Sequence, residues 1–141
     1  VNVPVVAAGG IADAAGVRAA MSWGAAGVQI GTSFLLCNES NASPVHRAAL
    51  SSETATHTCL TNLFTGRPAR SIVNRIMREM GAISRHVPLF PLATTAIAPL
   101  RAAAEAKGSM DFSPLWAGQN TSGCQAISAT ELTLELAKGF D

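Results

Sequence analysis

The chain has 141 residues, of which 48% are hydrophobic and only 13% charged, with a formal net charge of +1. That balance offers no clustered basic face for a nucleic-acid backbone, and no stretch approaches the roughly 20 uninterrupted apolar residues of a membrane-spanning helix. Cys37, Cys59 and Cys124 are odd in number and widely spaced, which matches neither a disulfide framework nor a metal box and fits a reducing cytoplasm.

Val3, Val5 and Val6 run into Ala7 and Ala8 as a short apolar, β-branched segment, the pattern of a parallel strand buried on both faces. It stops at Gly9-Gly10, where the missing Cβ atoms permit positive φ and let an anion approach bare backbone N–H groups. Asp13 stands where a helix N-cap would, and Val17, Ala20 and Met21 follow at helical spacing until Gly24. Gly27-Val28-Gln29-Ile30 resumes as a second buried strand, and Gly31-Thr32 ends it with a glycine beside a hydroxyl. One helix plus one strand separates Gly10 from Gly31, so the two turns emerge side by side at one end of a parallel sheet. In a (β/α)8 barrel this is where phosphates are held, by the loops after the last two strands and a short extra helix, here Ser33 to Leu36.

A parallel strand needs parallel neighbours, and one other such strand is visible. The expected fold class is therefore α/β: the C-terminal end of a (β/α)8 TIM barrel, contributing its last two strands, followed by a mainly helical lobe, as a fragment of a longer chain. Residues 1–40 form the barrel end and 41–141 the lobe, with the polar stretch 38–44 as the boundary. Ser43 caps a helix with Pro44 at its first position. Residues 54–64, rich in threonine, read as extended. Thr65-Gly66-Arg67-Pro68-Ala69-Arg70 is a turn, and Ile72, Val73, Ile76 and Met80 mark an amphipathic helix over 71–80. Arg67 and Arg70 have two readings, an anion clamp or a structural bond to carbonyls and carboxylates, the second favoured. Pro88, Pro91 and Pro99 punctuate the next piece, leaving an alanine-rich helix over 98–107. Ser128 caps a last helix, with Glu131 completing a capping box and Leu132, Leu136 and Phe140 facing inward.

His46, His57 and His86 are isolated from one another and from the glycine turns in sequence, and each reads as a surface or packing residue. No metal-ligand spacing, Gly-x-Ser-x-Gly elbow or Gly-x-Gly-x-x-Gly fingerprint is present, so no metal is expected. What the residues describe is a phosphate grip without a base or nucleophile.

Four blocks carry a resemblance: Pro4-Val5-Val6-Ala7-Ala8-Gly9-Gly10-Ile11-Ala12-Asp13, Gly24 through Leu35, Thr65 through Arg70, and Leu115-Trp116-Ala117-Gly118-Gln119. Together they resemble the C-terminal part of nitronate monooxygenase, formerly 2-nitropropane dioxygenase. The first two blocks are shared with FMN-dependent enoyl-acyl-carrier-protein reductases, and the last two favour the nitronate enzyme. The resemblance implies non-covalent FMN and oxidation of alkyl nitronates, such as propionate 3-nitronate, with O2. Gly9 and Gly10 would hold the FMN phosphate from one turn, and Gln29, Ile30, Gly31 and Thr32 from the other. The family's catalytic histidine lies upstream, in an Ala-Gly-Gly-His type segment, so no catalytic residue falls in this chain and the fragment alone is expected to be inactive. The expected partners are a small nitronate and O2, with a second copy of the chain or a missing N-terminal part of the same protein beside it. The rival readings are the enoyl reductase and a non-redox barrel that grips a phosphate with the same two turns.

Overall fold

The computed structural model describes residues 2–140. In chain order the strands and α-helices are β1 (Val6–Ala8), α1 (Ala14–Ser22), β2 (Gly27–Gln29), α2 (Pro44–Leu50), β3 (Thr58–Thr61), β4 (Ala69–Ile72), α3 (Arg75–Met80), α4 (Leu92–Glu105) and α5 (Ala129–Ala137). Single 3-10 turns occupy Thr32–Leu36 and Glu53–Thr56. The fold is mixed α/β and divides into two compact units, Val1–Ala42 with Gly118–Asp141, and Ser43–Ala117.

In the first unit, β1 and β2 pair in parallel with Val6 opposite Gly27, Ala7 opposite Val28 and Ala8 opposite Gln29. The crossover is α1, which starts where Asp13 accepts a hydrogen bond from the Gly16 amide at 2.7 Å. It ends at Trp23 and Gly24, the latter with φ of +90°. Val17 is fully buried and clusters with Cys37, Leu132 and Leu136, so α1 and α5 share a small core. Gly139 lets the end of α5 close onto α1, because a Cβ there would stand 2.4 Å from the Ala14 carbonyl oxygen. The capping box at Ser128 and Glu131 is present.

Two expectations for this unit fail. The β1 region is not buried on both faces: Val3, Val5 and Val6 are 65%, 47% and 57% exposed. The sheet has two strands among the described residues, so the outer edge of β1 has no neighbour there. Phe140 is exposed rather than inward, because α5 ends at Ala137 and helical spacing no longer applies to it.

In the second unit, β3 and β4 pair antiparallel, Thr58 opposite Ile72 through Thr61 opposite Ala69. Residues 115–117 add a third, shorter line: the Ile72 amide donates to the Leu115 carbonyl and the Ala117 amide to the Arg70 carbonyl. Leu63, Phe64, Ile76 and Met77 form the core, with Trp116 edge-on to Phe64 at 5.6 Å between ring centres. The helix expected over 71–80 is correspondingly short. Residues 69–72 are strand and α3 starts only at Arg75, since Ile72 is drawn into pairing with the distant Leu115. The helix expected over 98–107 instead begins at Leu92 and carries Pro99 inside it. Pro99 lacks the amide that would bond the Thr95 carbonyl, but the helix continues past it.

Candidate functional site

Gly9 and Gly10 follow β1 directly and adopt φ of +91° and +75°, so the turn takes the left-handed backbone that glycine tolerates. A Cβ added to either, or to Gly31, would meet nothing within 4 Å. The space over both turns is therefore open, as an approaching anion requires.

Thr32 begins the 3-10 turn after β2, and its Oγ1 accepts a hydrogen bond from the Gly118 amide at 2.8 Å. Its own O–H proton has no protein acceptor among the described residues. Ser33, the next residue, is 1% exposed and its hydroxyl has no hydrogen-bond partner among the described residues. Buried polar groups are nearly always paired, so this buried hydroxyl beside Thr32 stands out. Gly118 also ties the two turns together: a Cβ there would lie 3.2 Å from Thr32 Oγ1 and 3.9 Å from the Gly10 nitrogen.

Of the residues read from sequence, Gly10 and Thr32 thus both approach Gly118, with Gly9 and Gly31 next to them in the chain. Gln29 and Ile30 do something different. Ile30 packs against the Val17–Leu136 core, and both residues line a separate 410 Å³ hollow with Phe34 and Leu136. Only their backbone could serve the opening. Gly118 was not among the residues read for the site, and Ser33 entered only as the start of the short helix after the second turn. Gly118 lies 86 positions from its partner, and no local spacing marks it; Ser33 was legible as the hydroxyl beside Thr32.

The three histidines are occupied elsewhere, within Ser43–Ala117. His46 Nε2–H donates to the Trp116 carbonyl at 2.9 Å. Burial holds its pKa below the ordinary histidine value, opposed by that bond, so the ring is a neutral donor. His57 contacts the neighbouring Thr56 hydroxyl, and His86 is exposed. Arg70 Nη1 donates to the Thr58 carbonyl and hydroxyl, and Arg67 lies 4.4 Å over the Phe90 ring, so both arginines have structural partners. Among the described residues no three His, Cys, Asp or Glu side chains are grouped to hold a metal, and no helix is long and apolar enough to cross a membrane.

The family model described as nitronate monooxygenase matches residues 1–139. A probable nitronate monooxygenase of Staphylococcus saprophyticus is 41% identical over 138 residues, which is 98% of this chain and 39% of that protein. The nitronate monooxygenase of Pseudomonas aeruginosa is also 41% identical, over 97% of this chain and 39% of its own length. Among solved structures, nitroalkane oxidase from Streptomyces ansochromogenes superposes with a TM-score of 0.85 at 40% identity, covering 99% of this chain and 41% of that one. FabK from Thermotoga maritima superposes at 0.76 with 29% identity, covering 99% and 45%. The chain spans about two fifths of the length of the curated relatives it matches. Over that span, the sequence and the fold agree: the chain belongs to the nitronate monooxygenase family.

Proposed function

We propose that this chain is the C-terminal, phosphate-gripping portion of an FMN-dependent nitronate monooxygenase, an enzyme that oxidises alkyl nitronates such as propionate 3-nitronate with O2. In this reading β1 and β2 are the last two strands of a (β/α)8 barrel, and residues 1–40 belong to that barrel. Residues 41–141 are the added lobe, its tail 118–141 packing with the barrel end. Gly9, Gly10, Gly31 and Thr32 hold the phosphate through open backbone and one hydroxyl, with the Gln29 and Ile30 backbone leading into the second turn. The family's histidine segment is not among residues 1–141, whose three histidines all lie in Ser43–Ala117.

The residues present fit the phosphate end of FMN: the Cβ positions of Gly9, Gly10 and Gly31 are unobstructed, and the buried Ser33 hydroxyl has no partner among the described residues. When bound, the flavin supplies the electron transfer from nitronate to O2, and the protein's part is to bind and orient it. Cys37, Cys59 and Cys124, none of them in a disulfide, suit a cytoplasmic enzyme.

The observation that carries this reading is the meeting of both glycine turns and the Thr32 hydroxyl at Gly118, in a chain of this family. Titration of the purified 141-residue chain, followed by flavin absorbance, tests it. The chain is expected to bind FMN weakly but in preference to riboflavin, and to turn over no propionate 3-nitronate. A full-length protein carrying this chain is expected to be yellow and to consume O2 with the nitronate. Equal binding of the two flavins, or reduction of an enoyl thioester by reduced nicotinamide without nitronate oxidation, would sink the assignment.

A further inference from the structure

Resting on the phosphate-grip reading above, we propose that residues 118–124 form a strap that sets the phosphate-facing hydroxyl of Thr32, with Gly118 and Cys124 as its positioning residues. Thr32 is held at two places by this one segment. The Gly118 amide donates to its Oγ1 at 2.8 Å, and the Cys124 thiol donates to its carbonyl oxygen at 3.2 Å. The Gly118 bond fixes the side-chain rotamer and the Cys124 bond holds the backbone that carries it, leaving the Thr32 O–H proton to donate to another acceptor.

The fit between strap and turns is close. A Cβ on Gly123 would stand 2.2 Å from the Ala12 carbonyl oxygen and 2.6 Å from Ser33 Oγ, so the strap lies flush on the residues just past each glycine turn. Thr121 within it is buried. Burial pushes the Cys124 thiol up to about 11, with neighbouring Cys37 adding to the shift, so at neutral pH it stays protonated and remains a donor. A thiolate could not donate to a carbonyl. Nothing in the local sequence around Thr32 supplies these bonds; both partners come from more than eighty positions away.

The test compares FMN with riboflavin, ligands that differ by the phosphate alone, on the chain and its Cys124→Ala, Cys124→Ser and Thr32→Val variants, by isothermal titration. Cys124→Ala is expected to cut the preference for FMN about fivefold, the scale of one net hydrogen bond, while riboflavin affinity stays constant. Cys124→Ser, which keeps a donor, restores it. In the Thr32→Val background, Cys124→Ala changes nothing further, because the hydroxyl it positions is gone. Three results overturn the proposal: an unchanged preference in Cys124→Ala, equal loss of both ligands as from a merely structural defect, or additive loss in the double variant. A wild-type chain that does not discriminate the two flavins overturns the phosphate grip itself, whereas discrimination that survives Cys124→Ala leaves the grip standing and removes only the strap.

Discussion

Two left-handed glycine turns, one in each compact unit, have opposite surroundings. In Val1–Ala42 with Gly118–Asp141, the positive-φ glycines Gly9 and Gly10 border open space, whereas in Ser43–Ala117 Gly66, at φ +87°, is walled in by Phe90, Pro88 and Leu89. The first kind of glycine keeps room for something else. The second makes close packing of the chain on itself possible.

Gly66→Ala should break this contrast most sharply. A methyl there would meet the Phe90 amide nitrogen at 2.5 Å and the Pro88 carbonyl at 2.6 Å. Overpacking and left-handed strain together should cost about 3–4 kcal/mol. Gly9→Ala, with no neighbour in reach, should cost only the strain, about 1–2 kcal/mol. Urea midpoints of the two variants, measured without flavin, decide this; equal losses would mean the two glycines do the same job.

A valine pair sharpens it next. Val17→Ala removes a fully buried side chain between α1 and α5 and should cost about 2 kcal/mol. Val5→Ala, on the open side, should stay within about 0.5 kcal/mol. The measurement is again the denaturant midpoint, and a large loss at Val5 would show that β1 is covered in solution.

The smallest effect is expected from titration in the second unit. The Ser113 hydroxyl, and next Arg101, donate to Glu105 and hold its pKa below the ordinary carboxylate value. A depressed folded pKa means the unfolded chain binds the proton more tightly. Glu105 therefore contributes stability above its unfolded pKa and loses it as pH falls through the lower folded value. Glu105→Gln should flatten the acid limb of the stability curve as pH falls below the ordinary carboxylate range; an unchanged limb would count against the network.

What could be read from the sequence follows the range of the interactions. Asp13 before α1, Ser43-Pro44 before α2 and the Ser128–Glu131 box before α5 are local signals, and each helix begins where they put it. The parallel pairing of β1 with β2 followed from two apolar runs separated by one helix. The failures lie where a distant partner decides. Ile72 reads as helical by its spacing to Ile76 but pairs with Leu115, and Pro99 reads as the start of a helix yet sits in the middle of α4. At the candidate site, Gly9 and Gly10 were legible as a positive-φ turn after β1 and Thr32 as a hydroxyl following β2. The segment that completes them, Gly118 to Cys124, carries no local mark of that role, since its bonds to Thr32 exist only once the chain has folded back.

The placement of the two tryptophans has a practical consequence. Trp23 is 89% exposed at the end of α1, and Trp116 rests edge-on against Phe64 in the other unit, in a chain with no tyrosine. Ultraviolet emission therefore comes from two indoles, one bathed in water and one against an aromatic wall, each belonging to a different half of the molecule. A single Trp23→Phe replacement leaves a spectroscopic reporter of residues 43–117 alone, and Trp116→Phe leaves one of the half that carries the glycine turns.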